Sequence, residues 1–168
     1  VLVLVNDAEK IGLSIDMSKH EKFYTVDGSP GSAKLQAFID EYSSRSMEAN
    51  KVFARLDSLK NVMAPDSLLL AATEDKNKLI SSLNSYLKDF LAKADNPAVA
   101  IFALGISSRV LTKAEFEAGL NASLQKFPEH GMLKSMKQAY EAQQAQMAEM
   151  EKQQANKSMV GKEAPNLT

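Results

Sequence analysis

Few residues of this 168-residue chain are of a type that does chemistry. It has no cysteine and two histidines. The first absence removes disulfides, thiolate metal ligands and thiol nucleophiles from these residues. The second leaves any metal centre dependent on carboxylates. His20 stands beside Glu21 and His130 beside Glu129. Such a pair could act as a general base or as part of a metal site, but each stands alone near a turn and reads as a solvated histidine. Glu149 and Glu151 fall on a polar helical stretch, a solvated face rather than an acid–base pair. There is no glycine-rich phosphate loop, nucleophile elbow, metalloprotease helix motif or calcium loop. The triplets at Asn121, Asn156 and Asn166 match the glycosylation pattern, yet such triplets arise easily by chance and the first falls inside a predicted helix. Met132, Met136, Met147 and Met150 could form an adaptable binding surface, although a stripe of this kind is more often core. The expectation is a chain with no catalytic, cofactor-binding or metal-binding residues.

Composition narrows the classes further. The chain is 45% apolar and 24% charged, enough to bury a core and too apolar for a disordered polymer. Lys and Arg number 20 against 21 Asp and Glu, and the pI is about 6.2. That balance lacks the basic footprint of a nucleic-acid binder. No apolar run approaches the roughly 18 residues of a membrane span.

The elements that would position any site follow from periodicity. Val1 to Val5 is β-branched and apolar on both faces, as in a covered strand. Ile11, Leu13, Ile15 and Met17 alternate with Gly12, Ser14 and Asp16, the period of a half-buried strand. A third strand fits Phe23 to Val26, closed by Asp27-Gly28. From Ser29 the period lengthens, and Ser32 is the expected N-cap of a long helix ended by Pro65. Leu35, Tyr42, Ala49, Leu56 and Met63 fall seven apart on it, with Phe38, Val52 and Leu59 alongside and Arg45 the one interruption. Leu68-Leu69-Leu70 suits either the opening of the next helix or a buried turn. Leu79, Leu83, Tyr86, Phe90 and Ala94, with Ile80, Leu87 and Leu91, mark a second helix.

Asn96 is placed to cap a third helix with Pro97 at its first position. Ala98 to Ile106 is nearly all apolar, so that helix should be buried on most sides. Thr112 to Glu115 is a capping box, and Leu111 with Phe116 a hydrophobic staple, for a fourth helix ended by Pro128. A last helix runs from about Gly131 to Asn156 and emerges toward a linker. The predicted class is mainly α with a small N-terminal antiparallel β element (α+β), its five or so helices packed as antiparallel hairpins. Two or three strands do not make a stable sheet alone, so a packed helix or further strands must complete it.

Val1-Leu2-Val3-Leu4-Val5 reads as a strand already under way, with no initiator Met and no signal peptide. Gly161 to Thr168 reads as a loop leading to a new strand. The expectation is a fragment of a longer protein, divided into a β-rich remnant (1–28), a helical domain (29–156) and a linker with the first residues of a missing domain (157–168).

Met159-Val160-Gly161-Lys162-Glu163-Ala164-Pro165-Asn166-Leu167-Thr168 resembles the lead-in to thioredoxin-like domains of the peroxiredoxin and TlpA type. Gly161, Ala164, Pro165 and Leu167 carry the motif, with Leu167 where Phe is usual and Asn166 where Asp is common. Phe23 to Ser29, followed by a long helix, resembles the end of a β-rich domain of unknown function that precedes the thioredoxin fold in many bacterial envelope proteins. Asn96-Pro97 and the helix pair from Thr112 fit the helical region between the two. The resemblance implies a periplasmic or envelope-anchored thiol–disulfide oxidoreductase with its Cys-x-x-Cys site further along. It makes this chain a non-catalytic accessory region, without cofactor, that positions the redox domain or mediates contacts with a substrate or partner protein. A free-standing helical interaction module is the other reading. Homodimerisation through an exposed strand edge is expected if upstream strands are missing.

Overall fold

The computed structural model describes residues 2–18 and 24–157, in two compact units, Val1–Phe127 and Pro128–Thr168. His20, Glu21, Phe23, the motif residues Gly161, Ala164, Pro165 and Leu167, and the triplet at Asn166 lie outside the described residues.

The first unit contains β1 (Gly12–Ile15), β2 (Tyr24–Asp27), α1 (Pro30–Asn61), α2 (Asp66–Lys93), α3 (Pro97–Ser107) and α4 (Lys113–Lys126). The second contains α5 (Gly131–Lys157). The class is mainly α with one small antiparallel sheet, as the periodicities require.

The two strands pair in the register Leu13↔Val26 and Ile15↔Tyr24. Gly28, at φ +81°, closes them against the start of α1, where a Cβ would stand 2.6 Å from the Lys10 carbonyl. Residues 2–5 are not the expected strand. The Val5 amide donates to Ser32 Oγ at 2.8 Å, and the Val5 carbonyl lies 3.0 Å from Ser29 Oγ and 3.3 Å from Ser32 Oγ. Two serine hydroxyls of the helix start thus satisfy the backbone groups that a neighbouring strand would otherwise take.

The same serines correct the cap of α1. Ser29, not Ser32, is the N-cap, accepting the Ser32 amide at 3.0 Å, and Pro30 follows at the first helical position. The helix stops before Pro65. Met63 adopts φ +50°, the Met63 amide donates to Lys60 O and the Ala64 amide to Leu59 O. That pair of bonds is a Schellman closure with methionine where glycine is favoured. Met63 is therefore not the last member of the buried row but 91% exposed. Leu68 to Leu70 open α2.

Antiparallel α1 and α2 form the principal hairpin, and Leu35, Phe38, Ala49 and Leu56 on one side and Ala72, Leu83, Leu87 and Leu91 on the other are buried. Fully buried Phe38 meets four rings: Tyr42, Tyr86, Phe90 (4.4 Å between centroids) and Phe102 of α3, the last edge-on at 88°. Arg45, the one interruption of the stripe, bonds Glu41 and Ser82 Oγ and places its guanidinium 4.9 Å from the Tyr86 ring centre.

Asn96 caps α3 through Ala98 and Val99, and Thr112 with Glu115 closes the expected capping box of α4. Buried Val99, Ala100, Ala103 and Leu104 form the inner side of α3, and Phe116 and Leu120 that of α4. The other side of α3 is less covered than its composition suggests, with Ile101, Phe102 and Ile106 half-buried.

Three substitutions test this packing by thermal melts. Phe38→Ala should lose about 3–5 kcal/mol, because four aromatic neighbours would line the void. Met63→Gly should gain roughly 0.5–1 kcal/mol, since the left-handed penalty disappears and an exposed side chain is all that is removed. Gly105→Ala in α3 should gain up to about 1 kcal/mol, since an added Cβ meets nothing within 4 Å.

Candidate functional site

Chemistry-bearing side chains do not converge. Among the described residues no group of three His, Cys, Asp or Glu could hold a metal ion. His130 differs from a simple solvated histidine, because its Nδ1 is buried without a hydrogen-bond partner among the described residues. Glu129 beside it pairs with Lys134 at 3.1 Å. Glu149 and Glu151 are exposed along α5, as are Met132 and Met150, while Met136 and Met147 are half-buried. No described helix is long and apolar enough to cross a membrane.

Charged groups act at the joints between elements. Asp7 accepts the Gly31 amide at 2.6 Å and the Ser29 hydroxyl at 2.5 Å, across the N-terminus of α1. Its carboxyl is held below the usual range, chiefly by the Ser29 hydrogen bond. A Cβ on Gly31 would lie 2.5 Å from the Asp7 carboxylate, so the close approach depends on glycine. Lys34 pairs with Asp95 at 2.5 Å, joining α1 to the α2–α3 connection and lowering the Asp95 pKa. Lys126 reaches the Ala92 and Ala94 carbonyls at the end of α2. Glu115 accepts from Lys88 at 2.7 Å while completing the α4 capping box, and these contacts lower its pKa to about 2.

What the arrangement offers to another molecule is surface. Cross-strand register puts Leu13 and Ile15 on the same face as Val26 and Tyr24. Tyr24 is covered: its carbonyl accepts from Gln36 of α1, and its hydroxyl lies near the Val3 backbone. β1, expected to be half-buried, is not: Leu13, Ile15 and Met17 are 42%, 54% and 80% exposed. The alternation correctly placed its apolar residues on one face, but the neighbouring helix contacts β2 and leaves that half of the face uncovered. Among the described residues the sheet has two strands, so β1 has one edge without a partner strand. A second exposed apolar group, Val62, Met63, Leu68 and Leu70, surrounds the α1–α2 turn.

No protein-family profile, curated protein or solved structure matches this chain.

The Glu115 contacts have a pH signature. A carboxyl whose folded pKa is about 2 against an ordinary 4.5 adds stability above the ordinary value and loses it as pH falls toward 2. Glu115→Gln should therefore melt at a lower temperature than the parent chain near neutral pH. The difference should narrow on acidification to about pH 2, a window that paired thermal melts can follow.

Proposed function

We propose that this chain is a non-catalytic accessory region of a thioredoxin-like thiol–disulfide oxidoreductase. The observation that carries the reading is the segment Gly161-Lys162-Glu163-Ala164-Pro165, which resembles the lead-in to such domains and follows closely on the 27-residue α5. In this reading α5 is the connection to the redox domain, and the unit built from β1 to α4 makes the contacts with protein partners. The same resemblance assigns the parent to the periplasm or an anchored position at the cell envelope.

The exposed half of the β-hairpin is the surface through which two copies pair. Strand addition supplies main-chain hydrogen bonds to an open edge, and alternate side chains supply fit. An antiparallel pair centred on Ser14 would bring Leu13 of each copy opposite Ile15 of the other. Four apolar side chains would then extend the face begun by Val26 and Tyr24.

Two measurements test these statements separately. The intact mass of the native protein from its source cells should exceed 18.4 kDa and rise by two thiol labels after reduction and alkylation. A mass near 18.4 kDa with no label would defeat the redox assignment and leave a helical interaction module as the better account. For the pairing, Ser14→Cys introduces a lone thiol into a chain that has none. It should form a disulfide-linked dimer under mild oxidation, whereas a monomer on non-reducing gels would overturn self-association through β1.

A further inference from the structure

α3 carries a residue that its own packing does not explain. Gly105 lies inside a helix, where glycine is disfavoured, and a Cβ built there would meet nothing within 4 Å. Neither a close backbone approach nor a positive φ calls for it. It does line an open pocket of about 430 Å³ between α1 and α3, together with Tyr42, Ile101, Phe102, Ile106 and Arg109. That size falls in the range of small-ligand sites.

The pocket has an apolar body and a polar end. Ile101, Phe102 and Ile106 are half-buried, giving a wall that is neither fully packed nor fully solvated. The Tyr42 hydroxyl and the Arg109 guanidinium have no partner among the described residues. Arg109 has no nearby helix-end carbonyl in need of it. The carbonyls of Leu104, Gly105, Ile106 and Ser107 are already taken by the Ser108 amide, the Ser108 hydroxyl, the Arg109 amide and the amides of Val110 and Leu111. Arg45, one turn from Tyr42, is engaged by Glu41, Ser82 and the Tyr86 ring. Arg109 is thus the cation that lines this pocket.

We infer that the α1–α3 pocket binds a carboxylate bearing a bulky apolar group. The apolar part lies over Gly105 against Ile101, Phe102 and Ile106, and the carboxylate meets Arg109 and the Tyr42 hydroxyl. A guanidinium with several fixed donors suits a carboxylate, and removal of the apolar group from water adds to the binding. A medium-chain free acid and the C-terminal leucine of a peptide share this chemistry. The inference does not depend on the redox assignment, since it uses only residues of α1, α3 and the turn that follows α3.

The test is a titration of the isotope-labelled full chain, followed by amide NMR, with octanoate in one arm and acetyl-Ala-Leu in the other. Saturable shifts of the Gly105 and Phe102 amides in either arm are expected, and the arm that saturates identifies the source. Gly105→Leu fills the space and should abolish the shifts while the circular dichroism stays helical. Arg109→Gln, an exposed change, should weaken binding about tenfold, as expected for loss of a charge-assisted hydrogen bond. Absence of saturable shifts with both probes at millimolar concentration would overturn the site. So would binding that survives both substitutions unchanged.

Discussion

The first unit is organised around one ring. Phe38 is fully buried, and its neighbours come from three helices: Tyr42 on its own, Tyr86 and Phe90 on α2, and Phe102 on α3. Near-parallel stacking on Tyr42 and Tyr86 and edge-on contact with Phe102 are geometries that aromatic quadrupoles favour, so the cluster selects orientation as well as proximity. Tyr86 adds a polar tie, its hydroxyl donating to the Phe38 carbonyl at 3.5 Å. With α1 and α2 aligned at this level, Arg45 meets Ser82 and Tyr86 one turn further on. α3 is brought beside α1 at Tyr42, which creates the pocket wall opposite Gly105.

A different kind of interaction attaches the β element. A two-stranded hairpin has too little buried surface to persist alone, and this one leaves β1 exposed. Its attachment comes from the start of α1, where Ser29, Ser32 and Gly31 receive Val5 and Asp7, and where Gln36 holds the Tyr24 carbonyl. Apart from the Ser29–Asp7 contact between side chains, each satisfies a helix-start amide or a strand-like backbone group. Polar complementarity at one helix end does here what a second layer of apolar packing does in larger sheets.

Much of this was legible because the signals were local. Asn96 before Pro97 and Thr112 before Glu115 fix helix starts through bonds spanning two or three residues, and both caps form as expected. The sevenfold spacing through Leu35, Ala49 and Leu56 identified the buried face of α1. Ser29 before Pro30 carried the same signal as Asn96 before Pro97, yet the cap was placed at Ser32, three residues late. Ser32 contributes its hydroxyl to Val5 across 27 positions, a role no local pattern encodes. The strand expected at Val1 to Val5 is absent from residues 2–5 for the same reason: the partners of its backbone are distant side chains, Tyr24 at Val3 and the serines of the helix start at Val5. The pocket beside Gly105 was equally hidden, because it needs α1 and α3 side by side. The motif residues of the thioredoxin-like resemblance, Gly161, Ala164, Pro165 and Leu167, lie outside the described part of the chain.

The outer part of the α1–α2 hairpin has a consequence of its own. α3 runs beside α1 from Gly31 to Tyr42, and α4 meets α2 at Lys88, Leu91 and the carbonyls beyond, so these shorter helices flank only the base of the longer pair. From about Met47 to Ser82 the two long helices are held by a narrow seam in which Ala49, Leu56 and Ala72 are the buried members. A seam that repeats every seven residues can be shortened or extended by one repeat in both helices together without altering its contact pattern. Each such change would move the α1–α2 turn by roughly 10 Å. In lineage terms, hairpin length is free to vary among descendants of this chain, while the register at Phe38 is not.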